Sequence, residues 1–164
     1  MRTILLVLCL ALFPISLFAQ ELDVDRGELW ISPGAEMSLY SISSAAYGGG
    51  MTIAYGRGAS IGFKTAYFFD IEGEIDTLEV NVLLRFYFKG GASVSGPFIQ
   101  FSGGPAFFVR RENSVEVPSD WGMISLGLNF GWRFLLGKAF FIEPSVRAGY
   151  PFIASAGFSA GVHF

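Results

Sequence analysis

Near the C-terminus, Gly157 to Gly161 reads G-F-S-A-G, the spacing of a nucleophile elbow, and His163 follows as a candidate base for Ser159. An elbow needs a sharp strand-to-helix turn, and only three residues follow Gly161. If the stretch is instead a strand, Ser159 and His163 share a face but stand about 13 Å apart at roughly 3.3 Å per residue. That is beyond hydrogen-bond reach, and the small residues read more simply as a close-packed strand. His163 is the sole histidine, which excludes histidine clusters for metal binding or catalysis.

A second candidate is D-I-E-G-E-I-D, Asp70 to Asp76, which sets four carboxylates around Gly73. Carboxylate oxygens at this density could gather Ca²⁺ or Mg²⁺. A solvated acidic loop accounts for the same residues with fewer assumptions. No complete phosphate-loop or EF-hand pattern is present, so the expectation is no catalytic residue, no cofactor and no metal.

The third set is dispersed through apolar segments. In T-L-E-V-N-V-L-L-R-F-Y-F, Thr77 to Phe88, alternate residues separate into Leu78, Val80, Val82, Leu84, Phe86 and Phe88 on one face. Thr77, Glu79, Asn81, Leu83, Arg85 and Tyr87 form the other. The same period recurs in Ile124 to Leu135 and from Phe140 onward, and it places Asn129, Arg133, Glu143 and Arg147 on mixed faces.

Eight such segments can be read, at 28–40, 47–56, 59–69, 77–89, 96–110, 121–136, 139–149 and 154–164. The connections after the second and sixth are tight, Gly56 to Gly58 and Gly137 to Lys138. Those after the third and fifth are longer, Asp70 to Asp76 and Glu112 to Ser119. Two depart from this rhythm: Gly90 to Ser95 is long for a turn, and Tyr150 to Ile153 is short for a loop. Acidic residues crowd the longer connections, and Arg57, Lys89 and Lys138 occupy the opposite ones.

The N-terminus bears on compartment. Arg2, an apolar run from Ile4 to Phe13 and a small Ala19 make residues 1–19 a secretory signal peptide, followed by a short acidic lead, 20–27, and one domain, 28–164. Cleavage after Ala19 would leave 145 of the 164 residues, remove the lone Cys9, and move the net charge from −3 to −4. Disulfides are therefore not expected in the mature chain, and its acidic balance disfavours nucleic acid. Hydrophobic residues make up 52% of the chain and charged residues 15%, too few charges for an ordinary water-facing surface. No run of about 20 apolar residues follows the signal, so no spanning helix is available.

An eight-stranded antiparallel transmembrane β-barrel reconciles these features, with short periplasmic turns and longer outer loops. Energy selects its register. Turning the mixed faces outward would expose Lys64, Arg85, Arg133 and Arg147 to lipid, each at about 2 to 4 kcal/mol near the midplane. The apolar faces must then meet lipid, and Glu36, Glu79 and Glu143 must pair with those four bases in the lumen, alongside Asn81 and Asn129. Inward glycines, Gly62, Gly104, Gly127, Gly131 and Gly157, are expected to make room for the long Arg and Glu side chains. Outward Tyr55, Phe86, Phe88, Trp132, Phe134, Phe140 and Phe164 gather toward the short-turn end as an expected aromatic girdle.

The last strand, A-S-A-G-F-S-A-G-V-H-F, ends in Phe164 preceded at alternate positions by Val162, Ala160 and Phe158. This resembles the terminal assembly signal of bacterial outer-membrane barrels, and the chain is similar in plan to the OmpA transmembrane-domain and OmpX-type barrels. The resemblance implies an outer-membrane location, with membrane lipid, the barrel-assembly machinery and periplasmic chaperones as partners. It leaves open an unidentified extracellular ligand and implies no particular activity. The leading expectation is a non-enzymatic barrel with a structural or surface-interaction role. The alternatives are a narrow channel for ions or small solutes, and a soluble lipocalin-like carrier of a hydrophobic ligand.

Overall fold

The computed structural model describes residues 27–40, 44–71, 75–89, 92–110 and 122–164. The proposed signal peptide, most of the acidic lead, Glu72 to Glu74 of the acidic loop and the connection at 111–121 lie outside the described residues. Eight strands follow one another: β1 (Leu29–Leu39), β2 (Ala45–Gly56), β3 (Ala59–Asp70), β4 (Ile75–Tyr87), β5 (Gly96–Arg110), β6 (Gly122–Leu136), β7 (Phe140–Tyr150) and β8 (Ala154–His163). Each pairs antiparallel with the next and β8 pairs with β1, so the sheet is a closed barrel without edges. β2 and β4 begin two residues earlier than the alternation predicts, at Ala45 and Ile75, which lengthens both toward the long-loop end.

The register fixes the tilt. Leu29 pairs with Tyr55, Tyr55 with Ile61, Ile61 with Leu84, and Leu84 with Phe101. Phe101 then pairs with Leu128, Leu128 with Ala148, Ala148 with Ala154, and Ala154 with Leu39. One circuit therefore returns to β1 ten residues further along it. Eight strands about 4.8 Å apart with that stagger must tilt by about 40°. At this tilt an 11-residue strand such as β1 rises about 27 Å along the axis, close to the apolar band of about 25 Å that membrane barrels carry.

Every residue in that circuit belongs to the outward set. Ile61 within it, and Phe63, Phe130, Ile124 and Phe158 on the same face, are at least half exposed. The inward set is buried and largely polar, with Glu79, Asn81, Gln100, Arg133 and Glu143 nearly inaccessible. No described helix is long and apolar enough to cross a membrane. At the tight turns, Gly56 (φ 140°) and Gly137 (φ 82°) hold backbone conformations that side-chain-bearing residues rarely adopt.

The two irregular connections fold inward. Ala92, between β4 and β5, is fully buried at the short-turn end, its amide donating to the Arg57 carbonyl at 2.8 Å. Phe152, between β7 and β8, is fully buried at the opposite mouth and packs with Phe68, Ala46, Ala66 and Tyr40.

The inward glycines act differently from expectation. A side chain on Gly127 would indeed crowd Arg147, whereas one on Gly157 would press on the Ala35 carbonyl of β1 and meet Glu36 only at ordinary contact distance. Gly131, however, makes way for the Phe98 ring, while Gly62 and Gly104 lie against the backbones of β2 and β4. Close approach of strands and aromatic volume account for these three. Gly104→Val should therefore lower the urea midpoint of the barrel in detergent micelles, by about 1 to 3 kcal/mol or to the point of misfolding, because its Cβ meets the Val80 carbonyl. Gly58→Val, with open space around it, should leave the midpoint within about 0.5 kcal/mol.

Candidate functional site

Charged side chains from β1, β3, β4, β6 and β7 meet in the lumen because alternate residues of all eight strands converge there. Two networks result. In the lower one, toward the short-turn end, Arg85 Nη1 donates to both oxygens of Glu143 at 2.7 and 2.9 Å, and Arg133 Nε donates to Oε1 at 2.6 Å. Arg85 Nε and Nη2 both donate to Gln100 Oε1, at 2.9 and 2.7 Å. Arg133 Nη1 donates to the Ala92 carbonyl at 2.7 Å, so the inward-folded turn is tied to the network.

In the upper network Lys64 Nζ donates to Glu36 Oε2 at 2.6 Å, and Arg147 bridges the remaining acids. Its Nε lies 3.1 Å from Glu36 Oε1 and its Nη1 donates to Glu79 Oε2 at 2.8 Å. Ser125 and Asn81 also donate to Glu79, at 3.1 and 3.2 Å. The structure thus brings Glu36, Lys64, Glu79, Asn81, Arg85, Arg133, Glu143 and Arg147 into contact in two groups. Asn129 is buried between them, its Oδ1 without a protein partner. It borders a cavity of about 50 Å³ lined also by Glu36, Lys64, Gln100 and Glu143, roomy enough for a few waters.

The lower network holds two guanidiniums against one carboxylate. Aromatic faces take up the excess charge: Arg133 lies 3.8 Å from the Phe141 ring centre and 4.9 Å from that of Trp30. Arg85 lies 4.0 Å from Phe98 and 4.3 Å from Trp30. In a desolvated setting such contacts are worth about 2 kcal/mol each. These rings were not singled out by sequence reasoning, although Trp30, Phe98 and Phe141 stand at inward positions of their strands. Phe152 had no such signal, since it belongs to no strand.

The aromatic residues assigned outward all lie at the short-turn end, where β2, β4, β6 and β8 finish and β7 begins. Phe88, Phe140 and Phe164 are 60% exposed or more, while Phe86 is partly covered. Phe158, Ala160 and Val162 occupy alternate positions on the outward face of β8, and Phe164 follows its last residue, its amide donating to the Leu29 carbonyl at 2.8 Å. Ser159 and His163 do not form a catalytic pair. Ser159 Oγ donates to Glu143 at 3.4 Å, and the His163 ring stacks 6.5 Å from Phe141. Among the described residues no group of three or more His, Cys, Asp and Glu could hold a metal ion.

The shared Glu143 makes this lumen sensitive to single substitutions. Arg85→Ala and Glu143→Ala should each destabilise the barrel by about 3 to 5 kcal/mol, because charged partners are left buried and unpaired. Arg57→Ala, in an exposed turn, should shift the urea midpoint by less than about 0.5 kcal/mol.

No protein-family model matches the chain, and no curated protein matches it. Solved structures do. The N-terminal β-barrel domain of Pseudomonas aeruginosa OprF is 16% identical with a TM-score of 0.61, covering 85% of this chain and 100% of that one. Neisserial surface protein A is 11% identical with a TM-score of 0.64, covering 84% and 95%. The outer membrane protein OprG from Pseudomonas aeruginosa is 12% identical with a TM-score of 0.56, covering 84% and 96%. At these identities the likeness is one of fold: a small eight-stranded barrel, distantly resembling the OmpA- and OmpX-type barrels of bacterial outer membranes.

Proposed function

We propose that the chain is an exported, non-enzymatic integral barrel of an outer membrane with a structural or surface-interaction role. The observation that carries this reading is the polarity of the wall. Large apolar side chains cover the outside, including Phe63 and Phe69 of β3 and Trp132 and Phe134 of β6, while the lumen carboxylates of Glu36, Glu79 and Glu143 are ion-paired within. A water-soluble barrel would reverse that arrangement. In hydrocarbon a closed sheet also satisfies its backbone hydrogen bonds without solvent.

The short-turn end faces the periplasm in this reading. Tyr55, Phe86, Phe88, Trp132, Phe134, Phe140 and Phe164 form the interfacial girdle there, and Phe158 to Phe164 present the signal read by the assembly machinery. Lipid, that machinery and periplasmic chaperones are the partners it entails. The channel reading has less support, since Trp30, Phe98 and Phe141 fill one end of the lumen and Phe68 and Phe152 the other. A lipocalin-like carrier would want an apolar cavity, whereas the cavity here is bordered by Glu36, Lys64, Asn129 and Glu143.

Fractionation tests the location. The protein should remain with washed outer membranes and migrate differently in unheated and boiled samples. Deleting Phe164 should leave export intact and reduce outer-membrane yield severely, while Phe164→Tyr should be tolerated. Recovery of the wild-type protein in the soluble fraction would refute the reading. In planar bilayers the purified protein should give no resolved conductance steps, and regular steps would restore the channel.

A further inference from the structure

On the wall of the lumen cavity, the carboxylates are already in use and the groups left over are hydrogen-bond donors. Arg85 donates twice to Gln100 Oε1, at 2.9 and 2.7 Å, and a guanidinium cannot accept a hydrogen bond. Gln100 is therefore fixed with its NH₂ end away from Arg85, where it has no partner among the described residues. The Lys64 ammonium has three N–H groups and gives one to Glu36 Oε2 at 2.6 Å. Two remain. Asn129 and Ser145 bring a second amide and a hydroxyl to the same cavity. Glu36 is taken up by Lys64 and Arg147, and Glu143 by Arg85 and Arg133.

The charge has the matching sign. Among the described residues of the lumen four cations, Lys64, Arg85, Arg133 and Arg147, meet three carboxylates, Glu36, Glu79 and Glu143, so one positive charge is in excess. Glu28, beyond Trp30 at the short-turn end, pairs with neither arginine of the lower network, and Asp76 is engaged by Tyr67 on the other face of β3. The rings of Trp30, Phe98 and Phe141 ease the excess, but a ring quadrupole carries no counter-charge. Water carries none either. A buried charge calls for a partner of opposite sign.

We infer that the lumen binds one small monovalent anion, chloride or an ion of its size, between Lys64, Gln100 and Asn129. A halide is little larger than a water molecule, whose share of the liquid is about 30 Å³, and the cavity of about 50 Å³ has room for it. The side chains of Lys64 and Glu36 keep 14% and 13% of their surface accessible, which leaves the ion a way in. A cation would meet both the excess charge and N–H groups turned toward it. The site adds a ligand to the structural role and does not depend on where the barrel resides.

The test is urea unfolding of the purified protein in non-ionic detergent micelles at constant ionic strength, with sodium chloride exchanged for sodium gluconate, whose anion is too large for the cavity. The wild-type midpoint should rise with chloride. At about ten times the dissociation constant, chloride multiplies the folded-to-unfolded ratio by about eleven. Gln100→Glu turns the free amide end into a carboxylate oxygen and supplies the missing negative charge within the chain, so its midpoint should be the same in both salts. Lys138→Gln, in an exposed turn, should respond to chloride as the wild type does. A wild-type midpoint indifferent to chloride would overturn the site, and so would a Gln100→Glu protein with the wild-type response, which would mark a general salt effect. Should Gln100→Glu not fold, wild-type crystals soaked in sodium bromide decide. Anomalous bromine density beside Lys64 and Gln100 upholds the anion, and its absence there overturns it.

Discussion

Glu143 is the carboxylate on which the lumen depends, because Arg85 from β4 and Arg133 from β6 both donate to it in a space without bulk solvent. Burying three charges to form two ion pairs is expensive unless every remaining donor finds a partner. Gln100 and the Ala92 carbonyl supply two of those partners and the faces of Trp30, Phe98 and Phe141 lie against the guanidiniums, while Arg133 Nη2 is left without a hydrogen-bond partner among the described residues. The requirement reaches beyond the lumen itself. It explains why the β4–β5 connection is long enough to turn inward, and why aromatic rings stand at polar positions in the alternation.

The upper network solves the same problem with different means. Lys64, Arg147, Glu36 and Glu79 are balanced in charge and need fewer aromatic neighbours. Phe152 and Phe68 instead close the mouth above them, their rings 4.4 Å apart, with Tyr40 4.5 Å from Phe152. Tyr40 in turn is hydrogen-bonded to Thr77 at 2.7 Å, which ties β1 to β4 across the opening. A hydrophobic cluster thus stands at each end, and most polar groups between them are buried, with Glu36 and Lys64 partly accessible.

A filled lumen and an apolar exterior are linked by the same geometry. The stagger of ten residues around eight strands makes the barrel narrow enough for side chains to meet across it, so long Arg and Glu side chains can pair at the axis. It also tilts each strand so that short segments cover an apolar band. Prolines are tolerated in this wall at the cost of local pairing: the ladders lapse beside Pro33, Pro105 and Pro144.

The alternation of apolar and mixed residues was enough to determine eight strands, their bounds to within two residues and the division of every strand into an outward and an inward face. That follows from physics local to each strand: the side-chain period is two, and four charged residues on the wrong face would together cost about as much as a domain's whole stability. The content of the lumen was legible as composition, three acids against four bases. Who pairs with whom was not, because partners such as Arg85 and Glu143 are 58 residues apart and meet only through the stagger of the closed sheet. The glycines show the same limit: Gly127 yields space to Arg147, whereas Gly62 and Gly104 serve strand contact, a distinction set by neighbouring strands. Phe152 and Ala92 mark its far end. They lie in connections that carry no periodicity, and only the closed barrel, with two open mouths to fill, gives them a place to be buried.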